Sequence, residues 1–152
     1  MSIINQDLDF ICSNISKELK LIEGKTVLVT GGAGSVGYYL VQSMLFWNDK
    51  YQNKSPIKII VIDNFITGDR YWLDKFTHRD DFDLIEHDIT LGMPDDIDQV
   101  DYIFHLASIA SPPYYRKFPI ETIDANFIGT KVLLEFLKKS RFSNTTLLYF
   151  ST

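Results

Sequence analysis

A chain of 152 residues, 45% hydrophobic and 23% charged, has the size and balance of one globular domain with a proper core. Its formal net charge of −5 argues against a nucleic-acid or anionic-membrane surface, and its single cysteine, Cys12, excludes an intramolecular disulfide framework and suits a reducing cytosol. No apolar run approaches the roughly 18 residues of a membrane span, and the N-terminal MSIINQDLDF lacks the pattern of a signal peptide. A cytoplasmic protein without membrane or nucleic-acid partners is therefore expected.

In residues 2–23, Ile4, Leu8, Ile11, Ile15, Leu19 and Ile22 recur at helical spacing. This predicts one amphipathic helix, stopped at Gly24 and packed on the main domain. KTVLVT then reads as a buried strand, followed by GGAGSVG. Val36, Leu40, Val41, Met44 and Leu45 mark a second helix. WNDKYQNKSP is polar and punctuated by Pro56, and is expected to be a loop. IKIIVID is a second strand, residues 69–77 a short helix, FDLIEHD a third strand and DYIFHLA a fourth. SPPYY is expected to break the chain. A helix starting at Pro119 should then bury Ile120, Ile123, Phe127, Leu133, Leu134 and Leu137, with Lys138, Lys139 and Arg141 at its negative end. TLLYF is a fifth strand. Continuous apolar strands alternating with helices imply an α/β doubly wound parallel sheet, with ligands at the carboxyl ends of its strands.

TGGAGSVG falls where a strand turns into a helix. Gly31, Gly34 and Gly37 fit G-x-x-G-x-x-G, and Gly32, Gly34 and Gly37 fit G-x-G-x-x-G. Such glycines allow a tight turn, approach of a pyrophosphate to the backbone, and close helix–strand packing, while the helix start offers free N–H groups. No Lys-Ser/Thr pair follows, so this is not a Walker A loop. Asp63 ends the second strand, where a carboxylate accepts hydrogen bonds from ribose hydroxyls and repels a 2′-phosphate. It lies further from the glycines than the usual ~20 residues, an excess assigned to the loop 47–56. Asn64 and Phe65 are not basic. The expected cofactor is NAD rather than NADP.

VTGGAGSVG, VIDNFITG, LIEHDIT, YIFHLASIASPPYY, DANFIGT and YFST together resemble the extended short-chain dehydrogenase/reductase family, the NAD-dependent nucleotide-sugar epimerases, dehydratases and decarboxylases. HLASIASPPYY and DNFITG are most similar to its UDP-glucuronate decarboxylase (UDP-xylose synthase) branch. The resemblance covers roughly residues 24–152. It implies a Rossmann-type sheet truncated after the fifth strand, with the N-terminal helix of residues 1–23 outside it and the C-terminal substrate subdomain absent.

By the same resemblance, Gly31, Gly34, Ser35, Val36 and Gly37 would hold the pyrophosphate and Asp63 the ribose, with Asn64 beside it. Asp88 and Ile89 would flank the adenine, and Leu106, Ala107 and Ser108 would line the cleft. Asn126 would tie the fourth- and fifth-strand loops, and residues 111–115 would approach the sugar nucleotide. Thr152 would be the catalytic hydroxyl that orients the sugar oxygen. The implied reaction oxidises the sugar C4 hydroxyl by hydride transfer to NAD, on a nucleotide sugar, most simply a UDP-sugar, in a full-length protein that pairs as a homodimer. The family's Tyr-x-x-x-Lys pair belongs on the helix after strand five. The one such spacing here, Tyr71 and Lys75, follows strand two and is read as coincidence. The 152 residues alone are expected to be inactive, and a non-catalytic dinucleotide-binding module, a redox sensor or interaction domain, is the alternative. His78, His87 and His105 lack metal-ligand spacing, so no metal is expected, and His105 reads as a satisfied core histidine.

Overall fold

A computed structural model of the chain describes residues 3–51, 54–97, 99–139 and 144–150. Five strands form one parallel sheet: β1 (Thr26–Thr30), β2 (Lys58–Asp63), β3 (Phe82–Glu86), β4 (Tyr102–His105) and β5 (Thr146–Tyr149). Their spatial order is β3-β2-β1-β4-β5. Connections therefore run outward in opposite directions from β1, and the switch point lies between β1 and β4. This is the doubly wound architecture expected from the sequence.

Side chains alternate across the strands. Val27, Val29, Ile59 and Val61 enter a core with Met44, Trp47 and Leu73 on one face. Leu28, Ile60, Ile62 and Ile103 enter a second core with Ile89, Val100 and Leu133 on the other. Both faces of the central strands are covered, which is why their sequences read as continuous apolar runs.

The helices differ from expectation in five places. The single N-terminal helix is two, α1 (Ile3–Asn14) and α2 (Ser16–Leu21), with Ile15 between them at φ −113° and ψ 27°. Their apolar stripe still faces inward through Leu8, Cys12 and Leu19, and α1 lies against α3 (Ser35–Tyr51). The predicted loop at 47–56 is helical up to Tyr51, because Trp47 and Asn48 point into the core and are almost fully buried. The lengthened α3 thus accounts for part of the long interval before Asp63. The helix expected over 69–77 is a single turn, α4 (Tyr71–Asp74).

SPPYY does not break the chain. Pro112 and Pro113 start α5 (Pro112–Lys117), since missing N–H groups cost nothing in a first turn. The helix from Pro119 is three pieces, α6 (Pro119–Asp124), a π-helical turn (Ala125–Gly129) and α7 (Thr130–Lys139). The wider π turn rotates α7 relative to α6. Leu133 is fully buried in consequence, whereas Ile120, Ile123, Phe127 and Leu134 are more than half exposed.

Among the described residues, no helix is long and apolar enough to cross a membrane.

Candidate dinucleotide site

A cleft opens at the carboxyl ends of β1, β2, β3 and β4. Its floor is the turn from β1 into α3. Gly31 there has φ +72°, a left-handed conformation that suits glycine. A Cβ on it would stand 2.5 Å from the Ala107 backbone nitrogen, so the glycine lets the loops after β1 and β4 touch. Gly37 sits in the first turn of α3, and a Cβ there would meet the Gly32 carbonyl oxygen at 2.3 Å. It allows helix and loop to pack backbone to backbone. The helix start at Ser35, Val36 and Gly37 presents N–H groups that no carbonyl of the helix can reach.

Asp63 closes the cleft at the end of β2, and it is 8% exposed. One carboxylate oxygen accepts the Ala33 N–H at 2.8 Å and the other the Phe65 N–H at 2.8 Å. Burial raises its pKa above the usual carboxylate value, and these two N–H groups offset only part of that. Asn64 donates to Asp88 at 2.9 Å, while the other Asp88 oxygen accepts from the Thr90 N–H and hydroxyl. Burial pushes Asp88 up, but the hydrogen bonds from Thr90 and Asn64 outweigh it and hold the carboxyl below its usual range. Asp88 is thus an ionised cap on the short 3₁₀ turn at Ile89–Leu91.

Gly31, Gly34, Asp63, Asn64, Asp88, Ile89, Leu106, Ala107 and Ser108 all line the cleft. Ser35, Val36 and Gly37 begin the helix behind it. Asn126 stands at its rim, donating to the Ser108 hydroxyl at 2.9 Å and to the Thr122 carbonyl at 2.7 Å, and accepting from the Tyr149 hydroxyl at 2.8 Å. It connects the loop after β4, its own helix and β5. Thr152 lies outside the described residues. Tyr71 is 82% exposed and Lys75 donates to Gln42 at 3.2 Å, and neither lines the cleft.

Sequence reasoning missed several lining groups, among them Ile66, Thr67, Glu121 and Asp124. Glu121 and Asp124 are three apart on a helix and share a face, a signal that was available. No lysine or arginine lines the cleft among the described residues. A pyrophosphate held here would rely on backbone N–H groups and the positive end of α3.

His105 is 1% exposed. Its Nδ1 lies 2.6 Å from the Thr30 hydroxyl, but Nε2 has no partner of ordinary hydrogen-bond geometry. Only half of the satisfied core histidine expected from the sequence is present. Burial lowers its pKa, offset in part by the nearby Ala125 backbone.

A glycine turn at a switch point, a buried acid ending β2 and a helix start facing the cleft define a doubly wound nucleotide-binding protein. The chain belongs to the NAD dependent epimerase/dehydratase family, whose sequence model matches residues 27–152. Over 113 residues it is 40% identical to UDP-glucuronic acid decarboxylase 6 of Arabidopsis thaliana, covering 74% of this chain and 30% of that protein. The chain thus spans about a third or less of the curated relatives it matches. The crystal structure of DesIV, a dTDP-glucose 4,6-dehydratase from Streptomyces venezuelae with NAD and TYD bound, superimposes with TM-score 0.59 at 25% identity, covering 72% of this chain and 33% of that one. The Bordetella bronchiseptica enzyme WbmF in complex with NAD+ shares the fold, with TM-score 0.64 and 23% identity over 85% of this chain and 36% of that one. The family's cofactor is NAD.

Proposed function

We propose that this chain is the NAD-binding part of an enzyme that oxidises the C4 hydroxyl of a nucleotide sugar, UDP-glucuronate being the first candidate. The observation that carries the reading is the cleft itself: a glycine turn beneath it, a buried Asp63 at its end, and no lysine or arginine along its walls among the described residues. The 40% identity to a UDP-glucuronic acid decarboxylase supports the choice of sugar.

The residues present fit the dinucleotide. Gly31 and Gly34, with the N–H groups of Ser35, Val36 and Gly37, would take the pyrophosphate. Asp63 retains lone pairs beyond its two backbone bonds for the ribose hydroxyls, and Asn64 steadies the adenine end through Asp88. Asp88 and Ile89 would border the adenine, and Leu106, Ala107 and Ser108 the passage towards the nicotinamide. When bound, NAD supplies the acceptor for the C4 hydride. Asn126 would hold the β4 and β5 loops in register around the sugar, and residues 111–115 would approach it. Thr152 would orient its oxygen. The exposed apolar face of Ile120, Ile123, Phe127 and Leu134 is consistent with a homodimer of the full-length protein.

Incubating the full-length protein with NAD and UDP-glucuronate tests this. The expected product has lost carbon dioxide, read by mass spectrometry. An unchanged UDP-glucuronate beside turnover of another nucleotide sugar would move the substrate. Failure to bind NADH would end the reading.

A further inference from the structure

We propose that Arg70 and its two carboxylate partners, Asp74 and Glu86, form a lock that sets the cofactor preference of this cleft against a 2′-phosphorylated dinucleotide. The inference rests on the dinucleotide reading above and assigns residues beyond the ribose acid to the choice between NAD and NADP.

The geometry is local to the ribose corner. Phe65 donates its N–H to Asp63, and the Arg70 guanidinium stands 5.2 Å above the Phe65 ring. Arg70 Nε donates to Asp74 Oδ1 at 2.9 Å, and Nη1 donates to Glu86. Glu86 is the β3 residue paired in register with Asp63. Neighbouring strands lie about 4.8 Å apart. The guanidinium is therefore drawn across from the loop after β2 to the strand beside Asp63. The loop that carries it is tied as well, since Ile66 N–H binds Asn64 Oδ1 at 3.1 Å and Asn64 binds Asp88.

In doubly wound folds an arginine near the ribose acid accommodates the 2′-phosphate of NADP. Such a phosphate needs a guanidinium free to offer parallel N–H groups. Here an arginine stands beside that corner, behind the residues that line the cleft, and already donates to two carboxylates. With Asp63, three carboxylates and one guanidinium stand at or beside the corner, and an incoming 2′-phosphate meets net negative charge. Arg70, Asp74 and Glu86 are each about half exposed, so the lock faces solvent and changes to it leave the core intact. Individual exposed pairs contribute little to stability. Discrimination between two ligands is a difference, and repulsion of one of them suffices for it.

The test is titration of the full-length protein with NADH and NADPH, followed by nicotinamide fluorescence, in wild type and in the Asp74→Asn/Glu86→Gln double variant. The single Glu86→Gln variant repeats the test with a smaller change. The expected result is that the NADPH-to-NADH ratio of Kd falls about tenfold on freeing Arg70, and returns when Arg70→Gln is added. An unchanged ratio, or a gain that persists without Arg70, overturns the lock while the cofactor reading stands. A wild type that binds both dinucleotides equally overturns it too. A wild type that binds neither removes the cofactor reading and the lock together.

Discussion

Asp63 accepts the Ala33 N–H at 2.8 Å, so the acid that ends β2 also holds the glycine turn after β1. Under the proposed function, one carboxylate would serve both the shape of the phosphate site and the chemistry of the ribose site. Asp63→Asn is expected to weaken NADH binding tenfold or more, from the loss of charged hydrogen bonds worth about 1.5–3 kcal/mol each.

The pH dependence follows from the direction of the Asp63 shift. Burial, the larger effect, raises its folded-state pKa above the unfolded value. As pH falls through that raised value the carboxyl takes a proton and stops accepting from the ribose, so NADH affinity declines on acidification. Stability moves the other way for this group. Between the folded and unfolded values the folded state binds the extra proton, and acidification favours folding. Fluorescence titrations across pH should show the decline in wild type and a flatter profile in Asp63→Asn.

Asn48 and Asp81 anchor the far end of α3. Asn48 Nδ2 donates to the Ile57 carbonyl and to Asp81, both at 2.8 Å, and its Oδ1 accepts the Ile57 N–H at 2.9 Å. Asn48→Leu leaves these groups without partners in a buried setting, at a cost of about 1–3 kcal/mol. The melting temperature should fall by roughly 2–4 °C per kcal/mol. Burial alone would raise the Asp81 pKa, but hydrogen bonds from Arg79 and Asn48 lower it overall. Its contribution is therefore present above the unfolded carboxylate value and lost as pH drops through the folded one. The gap between urea melts of wild type and Asn48→Leu should narrow at acid pH by the share owed to Asp81, while the share owed to Ile57 remains; a gap constant with pH would contradict this account.

Asn126 and Tyr149 are coupled across the rim of the cleft by a 2.8 Å hydrogen bond. A double-mutant cycle of Asn126→Ala and Tyr149→Phe should give a coupling of about 0.5–1.5 kcal/mol, the net worth of one such bond. Additive losses would mean that the bond does not form in solution.

Strands were legible because a covered parallel sheet demands apolar residues on both faces, and Val27, Val29, Ile59 and Val61 meet that demand against one core as Leu28, Ile60 and Ile62 do against the other. The polar stretch after Phe46 was misread for the converse reason. Asn48 looks like a loop residue, yet it is buried because Ile57 and Asp81 satisfy it, and those partners stand immediately before β2 and β3. SPPYY was misread because two prolines stop a helix in its interior but suit its first turn. The π turn at Ala125–Gly129 has no period of its own to betray it.

Local sequence was enough for the succession of the five strands, for the glycine turn and for the acid that faces it. Each depends on backbone sterics, on apolar spacing, or on a charge placed at a strand end, and these act over a few residues. The folded chain alone decided which groups meet. Strand order brought Ala107 against Gly31 and carried Glu86 alongside Asp63. The π turn set Asn126 between Ser108 and Tyr149. Those contacts join segments far apart in the chain, so no window of sequence contains both partners, and only packing of the sheet and its covering helices fixes their distance.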